Sequence, residues 1–337
     1  MKVDIIGGGL AGLSTAISMK KMNSNIQVII HEKYKEIGYN PEGRRCGEGH
    51  TIEASWKEWK PDKISIFNNV TTVLTHLGNK TYTAMNEQSI GVVLNRQEFI
   101  HQLGEQARLL EIEIQTNDRI KSVNDLDGDY LIDASGCPST VKKELEIDKG
   151  LRGISYQQTI QDSNCFKSDT LHVYFSEDIV GYYWIFPRNP KINEVNIGVG
   201  TLQEYKNIRL KDTLESFKTS KHITGVVNHV AGGLVPAGLQ PPVKYGNILF
   251  VGDAGVGTHP ILGKGIYRAL LSGKIAGQCI AEEQPNKYPK IIRNEFIKWD
   301  IIGKCYIHFS KLMKSINKTA LFMFYRAYLD FWYYFFQ

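Results

Sequence analysis

Val3-Asp4-Ile5-Ile6-Gly7-Gly8-Gly9-Leu10-Ala11-Gly12, continued by Leu13-Ser14-Thr15-Ala16-Ile17-Ser18-Met19, decides the fold. Four residues of strand character run into three glycines and then into a helix-forming segment. Ile26-Gln27-Val28-Ile29-Ile30 follows as a continuous apolar strand, the pattern of a strand buried on both faces of a parallel sheet. Residues 3–30 therefore read as a βαβ unit. Gly7-x-Gly9-x-x-Gly12 lies at its strand-to-helix junction, and Glu32 ends the next strand 20 residues beyond Gly12. In that setting Gly7 makes the turn, Gly9 lets backbone approach a diphosphate, and Gly12 lets helix and strand pack closely. The diphosphate then lies at the positive end of the helix. Glu32 would accept hydrogen bonds from the adenosine ribose, and an acid there argues against a 2′-phosphate.

The rest of the chain is consistent with a folded protein of about two domains. It has 337 residues, 42% hydrophobic and 22% charged, with 31 Gly and 11 Pro, which excludes disorder, collagen-like repeats and a disulfide miniprotein. Cysteines 46, 137, 165, 279 and 305 contain no CxxC pair and no His partner at ligand spacing, so neither zinc nor a disulfide framework is expected. Reduced thiols in the cytoplasm are the default expectation. The chain opens directly on a strand and holds no run of 18 uncharged apolar residues, so neither a signal peptide nor a membrane span is expected.

A helix is expected over Gln97–Leu110, a strand over Glu111–Gln115, and another buried strand over Tyr130–Ala134 ending at Ser135-Gly136. Residues 151–244 change to alternating strand patterns such as Leu171–Phe175 and Tyr182–Phe186. The α/β pattern then returns with a strand over Asn247–Val251 and a helix over Gly265–Ala281. These elements predict a discontinuous Rossmann-like domain (1–70, 91–150 and 245–289), a β-rich substrate domain (71–90 and 151–244) and a C-terminal helical segment (290–337). The expected fold class is α/β, or α+β overall, with an inserted antiparallel sheet.

A second device chooses the cofactor. Phe250-Val251-Gly252-Asp253-Ala254, then Gly257-Thr258-His259-Pro260 and Gly263-Lys264-Gly265-Ile266, places an acid at a strand end before a glycine-rich helix entry. An NAD domain has no need of it. In an FAD protein Asp253 holds the ribityl hydroxyls, and the helix starting near Gly265 aims its N–H groups at the flavin edge that becomes negative on reduction. The plainer alternative is an Asp capping a helix.

These motifs, together with Arg45-Cys46-Gly47-Glu48-Gly49, Asn95-Arg96-Gln97-Glu98-Phe99, Asp133-Ala134-Ser135-Gly136 and Tyr182-x-Trp184-x-Phe186-Pro187, resemble the flavoprotein geranylgeranyl reductases. The resemblance is especially to the archaeal digeranylgeranylglycerophospholipid reductases within the p-hydroxybenzoate-hydroxylase-like superfamily, over most of residues 1–285. The resemblance implies FAD contacts from Ala11, Glu32, Arg96, Asp253, Gly265 and Ile266. It places Cys46, Gly47 and Gly49 beside the isoalloxazine and ribityl groups, with Arg45 and Gly263 in the same motifs. It also implies that a strand after Asn117-Asp118-Arg119 offers backbone at Ile120 to the adenine. Arg96 has its own rationale, a guanidinium beside a diphosphate, against the alternative of a surface ion pair. Asp133 and Gly136 form a strand-end turn at the same crevice, with structural and cofactor roles both open.

Alternation puts Tyr182, Trp184 and Phe186 on one strand face, as core packing or as the aromatic wall of a chamber for a greasy polyene. An isolated alkene accepts hydride only if protonation leads or accompanies it. Cys46 is the candidate proton source, with Glu48 and His259 as rivals, and Tyr182 and Trp184 are candidates to stabilise the transient positive charge.

The C-terminus points to lipid. Residues 286–320 hold eight Lys/Arg against Glu295 and Asp300, and ten of the seventeen residues 321–337 are aromatic. Such a segment suits peripheral contact with the inner face of a membrane, the plainer alternative being a helix packed on the body. No nucleic-acid motif is present. The expected activity is FAD-dependent saturation of C=C bonds in a geranylgeranyl or polyprenyl lipid, with NAD(P)H, a ferredoxin or a quinol as electron donor. The alternatives are a flavin monooxygenase or halogenase acting on an aromatic or quinone, and a non-catalytic flavin-binding scaffold at a membrane.

Overall fold

The sheet that carries the first glycine turn is built on central strands buried on both faces. Val3 to Ile6 and Val28 to Ile30 are all buried, so helices must cover both faces. The computed structural model describes residues 1–39, 47–51, 58–205 and 207–335. In chain order its elements are β1 (Lys2–Ile6), α1 (Leu10–Met22), β2 (Gln27–Glu32), β3 (Gly49–Thr51), β4 (Ile66–Val70), β5 (Thr72–Leu77), β6 (Lys80–Met85), β7 (Gly91–Leu94), α2 (Arg96–Leu109) and β8 (Glu113–Thr116). There follow β9 (Tyr130–Asp133), α3 (Thr140–Glu144), β10 (Arg152–Gln161), β11 (Thr170–Phe175), β12 (Gly181–Pro187), β13 (Val195–Leu202), α4 (Leu210–Ser220), β14 (Val226–Pro236), β15 (Lys244–Tyr245), β16 (Ile248–Phe250), α5 (Ile266–Ala281), α6 (Tyr288–Ile316) and α7 (Lys318–Phe335).

The first sheet has the order β15-β16-β9-β1-β2-β8, parallel from β16 to β8 with β15 antiparallel at the edge. From β1 the chain goes to β2 on one side and only later to β9 on the other. This makes the carboxyl end of β1 the switch point, where doubly wound sheets bind ligands. Helices α1, α2 and α5 pack their Leu13, Ile17, Phe99, Leu103, Leu270 and Ile280 into one core with β1 and β2.

A second sheet runs β14-β10-β13-β12-β11-β5-β6. It is mostly antiparallel, as expected, but β5 joins β11 in parallel register, Thr72 to Thr170 through Leu77 to Phe175. β5 and β6 come from far upstream, so no short hairpin links them to β11 and either direction is open. A small sheet of order β3-β7-β4 links the two. One face of the large sheet is covered by α4 through Leu214 and Phe217. The other face meets α7 through Leu321, Tyr325 and Leu329, which pack on Leu77, Tyr82 and Phe175.

The expected boundaries hold to within two residues for α2, β8, β9, β16 and α5. The strand expected after Arg119 does not form. Residues 118–121 are irregular, and Ile120 packs its side chain on the cluster of Ile6, Leu131 and Phe250.

Candidate active site

Ile6 lies opposite His31 and Asp133, and Phe250 opposite Asp133, so the strand ends open into one crevice. Gly7 leaves β1 at φ +105, and its N–H donates to His31 O at 2.9 Å. A Cβ on Gly7 would lie 2.7 Å from Ala134 O, and one on Gly12 would lie 2.0 Å from Gly7 O. At Gly9 a Cβ would meet nothing within 4 Å, and this N-cap residue gives α1 no side-chain capping bond. Two of the glycines thus close the turn against their neighbours, while the middle one leaves open space at a helix start. Glu32 is buried, its Oε2 accepting from Gly8 N at 2.8 Å and its Oε1 from Tyr34 N at 3.0 Å. Each carboxylate oxygen keeps a further lone pair for a hydroxyl.

The second turn lies against the first. Gly252, at φ +56, would bring a Cβ to 2.7 Å from Ala11 Cβ, and its N–H donates to Ser272 Oγ at 2.9 Å. A Cβ on Gly273 would lie 2.4 Å from Ala11 O, and one on Gly277 2.4 Å from Thr15 O. The partners advance together by four residues, so α1 and α5 lie side by side and start at the same end. Burial raises the Asp253 pKa, opposed by the charges of Arg96, at the start of α2, and Arg268. Arg96 and Asp253 therefore share the crevice. Gly265 caps α5 without a side-chain bond, with Ile266 as the first helical residue. Two uncapped helix starts, an open glycine and an acid at each strand end are the donor and acceptor set that a dinucleotide flavin requires.

Asp133 is wholly buried, and its oxygens accept from Ser135 N at 2.9 Å and from Ser139 Oγ. It shapes the 135–139 turn beside the crevice, where a Cβ on Gly136 would meet nothing within 4 Å. Arg45 and Cys46 lie outside the described residues.

Facing the crevice stands β12. Tyr183 and Ile185 enter the core on the α4 side, while Tyr182, Trp184 and Phe186 share the opposite, half-buried face. The Tyr182 and Trp184 rings meet edge to face at 6.1 Å. Trp184 lies over Gly198, where a Cβ would come to 2.1 Å from its ring, and its Nε1 donates to Gln157 Oε1 at 3.1 Å. Phe186 lies against Gly47 and Gly49, whose Cβ atoms would come to 2.8 and 3.4 Å from its ring. The Tyr182 hydroxyl lies 2.7 Å from where a Gly263 Cβ would be. This aromatic face thus reaches from the Gly47 loop to the Gly263 turn, both of which carry expected cofactor residues.

Two expected proton sources are engaged elsewhere. Glu48, buried at φ +62, accepts from Arg188 Nε at 2.8 Å and Asn196 Nδ2 at 3.3 Å. Arg188 also pairs with Glu194; burial opposes its charge, and the two carboxylates raise its pKa nonetheless. His259 Nδ1 accepts from Ile261 N and Leu262 N, both at 3.3 Å. Burial, with Arg268 and Lys264 nearby, pushes this imidazole down to about 4, so it is neutral and holds the turn.

Sequence reasoning missed the Arg188–Glu194 pair and the buried Arg268–Asp300 pair, with Nη1 to Oδ1 at 3.1 Å. Arg268 also donates to the Val256 and Gly257 carbonyls beside the Gly252-Asp253 turn, so Asp300 ties α6 to the crevice. The available signal was Asp300 itself, an isolated acid in a run of lysines.

Comparison with known proteins agrees with this architecture. Residues 152–235 match the family described as the geranylgeranyl reductase catalytic domain. The digeranylgeranylglycerophospholipid reductase of Methanocella arvoryzae is 27% identical over 310 residues, covering 83% of this chain and 77% of that protein. A geranylgeranyl bacteriochlorophyll reductase-like protein of Thermoplasma acidophilum shares the fold at a TM-score of 0.81 and 21% identity, over 96% of this chain and 89% of that one. The flavin-dependent halogenase CmlS is more distant, at a TM-score of 0.66 and 17% identity over 88% of this chain and 62% of its own. The catalytic-domain match falls on the aromatic strand β12 and its neighbours, and over four-fifths of its length the chain is similar to digeranylgeranylglycerophospholipid reductases.

Proposed function

We propose that the protein is an FAD-dependent reductase that saturates C=C bonds in the geranylgeranyl chains of a lipid. The observation that carries this reading is the contact of Gly252 with Ala11, which sets two helix starts side by side at one crevice in front of an aromatic face. In this reading Gly7, Gly9 and Gly12 cradle the diphosphate with Arg96 as its counter-charge. Glu32 receives the adenosine ribose. Asp253 takes the ribityl hydroxyls, and α5 presents the N–H groups of Gly265 and Ile266 to the ring edge where negative charge collects. When bound, FAD supplies the hydride, drawing its electrons from NAD(P)H, a ferredoxin or a quinol.

The side chains must solve the remaining problem, the low electrophilicity of an isolated alkene. Tyr182 and Trp184 present π faces to a tertiary carbon that becomes positive as a proton arrives, at about 1–2 kcal/mol each when desolvated. Phe186 against Gly47 and Gly49 closes the apolar wall and excludes water. With Glu48 ion-paired and His259 neutral, the proton source in this proposal is Cys46. The match to the geranylgeranyl reductase catalytic domain favours this reading over a halogenase.

The test is anaerobic. Dithionite-reduced protein mixed with a digeranylgeranyl glycerolipid should regain its oxidised flavin absorbance while the lipid gains mass in two-hydrogen steps. Stable reduced flavin and unchanged lipid overturn the reading.

A further inference from the structure

Beside the aromatic face one residue holds a backbone conformation that its type resists. Glu48 has φ +62, in the left-handed region that residues other than glycine rarely occupy. Its neighbours Gly47 and Gly49 lie against the Phe186 ring, so the turn at Glu48 decides how this segment meets the aromatic wall. Backbone of this kind persists only where the surrounding groups over-determine it, and it is commonest at functional sites.

The restraints reach Glu48 from several strands. Its carbonyl oxygen accepts from Leu94 N, at the end of β7, at 2.8 Å. Its buried carboxylate accepts from Arg188 Nε at 2.8 Å and from Asn196 Nδ2 at 3.3 Å. Arg188 comes two residues after Phe186, just past the end of β12, and is itself held. Its Nη1 pairs with Glu194, its N–H donates to Glu194 O at 2.6 Å, and its carbonyl accepts from Asn68 Nδ2. The guanidinium lies 4.5 Å from the centre of the Phe67 ring. Glu194 also accepts from Asn228 Nδ2 at 2.9 Å. Asn196 lies opposite Phe186 in the β12–β13 ladder and accepts from Thr159 Oγ1 at 2.8 Å.

Stability alone is a poor reason for such a cluster, because desolvating buried ions offsets most of their attraction and apolar residues of similar volume would serve as well. Geometry is what a guanidinium adds: a rigid fork that meets one carboxylate through Nε and another through Nη1. One arm is anchored at Glu194, beside β13, and the other grips Glu48. We propose that Arg188 is a positioning residue, which through Glu48 locks residues 47–49 against Phe186. Gly47 is bonded to Cys46, so any slip of this segment is passed on to the proton source. That use of the lock rests on the reductase reading above.

Three variants of the full-length, FAD-loaded protein test this. Arg188→Lys keeps the charge, but one ammonium cannot serve both carboxylates along the directions of the fork. Glu48→Gly adopts φ +62 without strain and removes the grip, leaving Arg188 with Glu194. Glu48→Gln keeps an acceptor oxygen in place. The readouts are anaerobic reduction of a geranylgeranyl lipid and alkylation of Cys46 by iodoacetamide, mapped by mass spectrometry with exposed Cys305 as internal reference. Arg188→Lys and Glu48→Gly should lower kcat about 10- to 100-fold with KM unchanged, and should change Cys46 alkylation at least about fivefold while Cys305 is unaffected. Glu48→Gln should restore both readouts to near wild type. If Arg188→Lys does not fold, Glu48→Gly against Glu48→Gln decides the matter. The proposal is overturned if Glu48→Gly keeps wild-type kcat and Cys46 alkylation, losing only stability in urea, or if Glu48→Gln is as impaired as Glu48→Gly. Wild-type protein that reduces no lipid, with Cys46 alkylation responding as stated, overturns the reductase reading and upholds the positioning role.

Discussion

Replacing Gly9 by alanine separates cofactor binding from folding. Gly9 has φ −85 and ψ −172, an extended conformation open to any L residue, and a Cβ there meets nothing within 4 Å. The apoprotein should therefore stay within about 1 kcal/mol of wild type, because alanine restricts the unfolded chain by about 0.4–1 kcal/mol while capping α1 less well than glycine by a similar amount. The added methyl occupies the space through which a diphosphate reaches the first N–H groups of α1. Losing one such charge-assisted hydrogen bond costs about 1.5–3 kcal/mol, or about 10- to 150-fold in affinity. Gly12→Ala is the control, since its Cβ would lie 2.0 Å from Gly7 O and should disrupt the fold itself. Urea unfolding of the apoproteins and fluorescence titration with FAD give the two readouts. A Gly9→Ala protein that binds FAD with wild-type affinity refutes the placement of the diphosphate over this glycine.

The remaining predictions concern chemistry, packing and pH. Trp184→Leu should slow lipid reduction about 5- to 30-fold, from loss of ~1–2 kcal/mol of cation–π stabilisation, while flavin reduction by an artificial donor is unchanged. Cys46→Ser should lower the lipid reduction rate and leave flavin binding intact; an unaltered rate removes Cys46 as proton source. Asp300→Ala leaves Arg268 buried without its carboxylate and should cost about 3 kcal/mol, seen as earlier proteolysis within α6 and α7. His259 is buried neutral, with its pKa pushed to about 4 by burial and neighbouring cations. The unfolded chain therefore binds the extra proton as pH falls below the ordinary value near 6.5, and stability is lost on acidification. From pH 7 to 5 wild type should lose up to about 2 kcal/mol more than His259→Asn in urea unfolding; equal losses would show an ordinary imidazole.

Much of the crevice was legible because its residues are constrained locally. Gly7, Gly9 and Gly12 occupy fixed places in a strand-to-helix turn, and Gly252-Asp253 repeats the device at a second strand end, so spacing alone implied a shared ligand. The alternation of Tyr182, Trp184 and Phe186 likewise follows from strand geometry. What was not legible depends on contacts between distant segments. Glu48 reads as a candidate acid until the fold brings Arg188 to it. His259 reads as a candidate donor until burial beside Arg268 neutralises it. Ile120 was expected in a strand, but residues 118–121 are irregular and its side chain packs on an apolar cluster. The parallel joining of β5 to β11 depends on a connection of more than ninety residues, about which local pattern says nothing.

The central claim is that one dinucleotide flavin spans the Gly7 and Asp253 turns, with its adenylate at Glu32 and its ring at the start of α5. Calorimetric titration of the apoprotein with FAD and with FMN, which lacks the adenylate and the diphosphate bridge, tests it most directly. The account predicts one FAD bound per chain and FMN bound at least about 100-fold more weakly, a difference of about 2.8 kcal/mol. Equal affinity for the two flavins, or a folded protein that takes up neither, would contradict it.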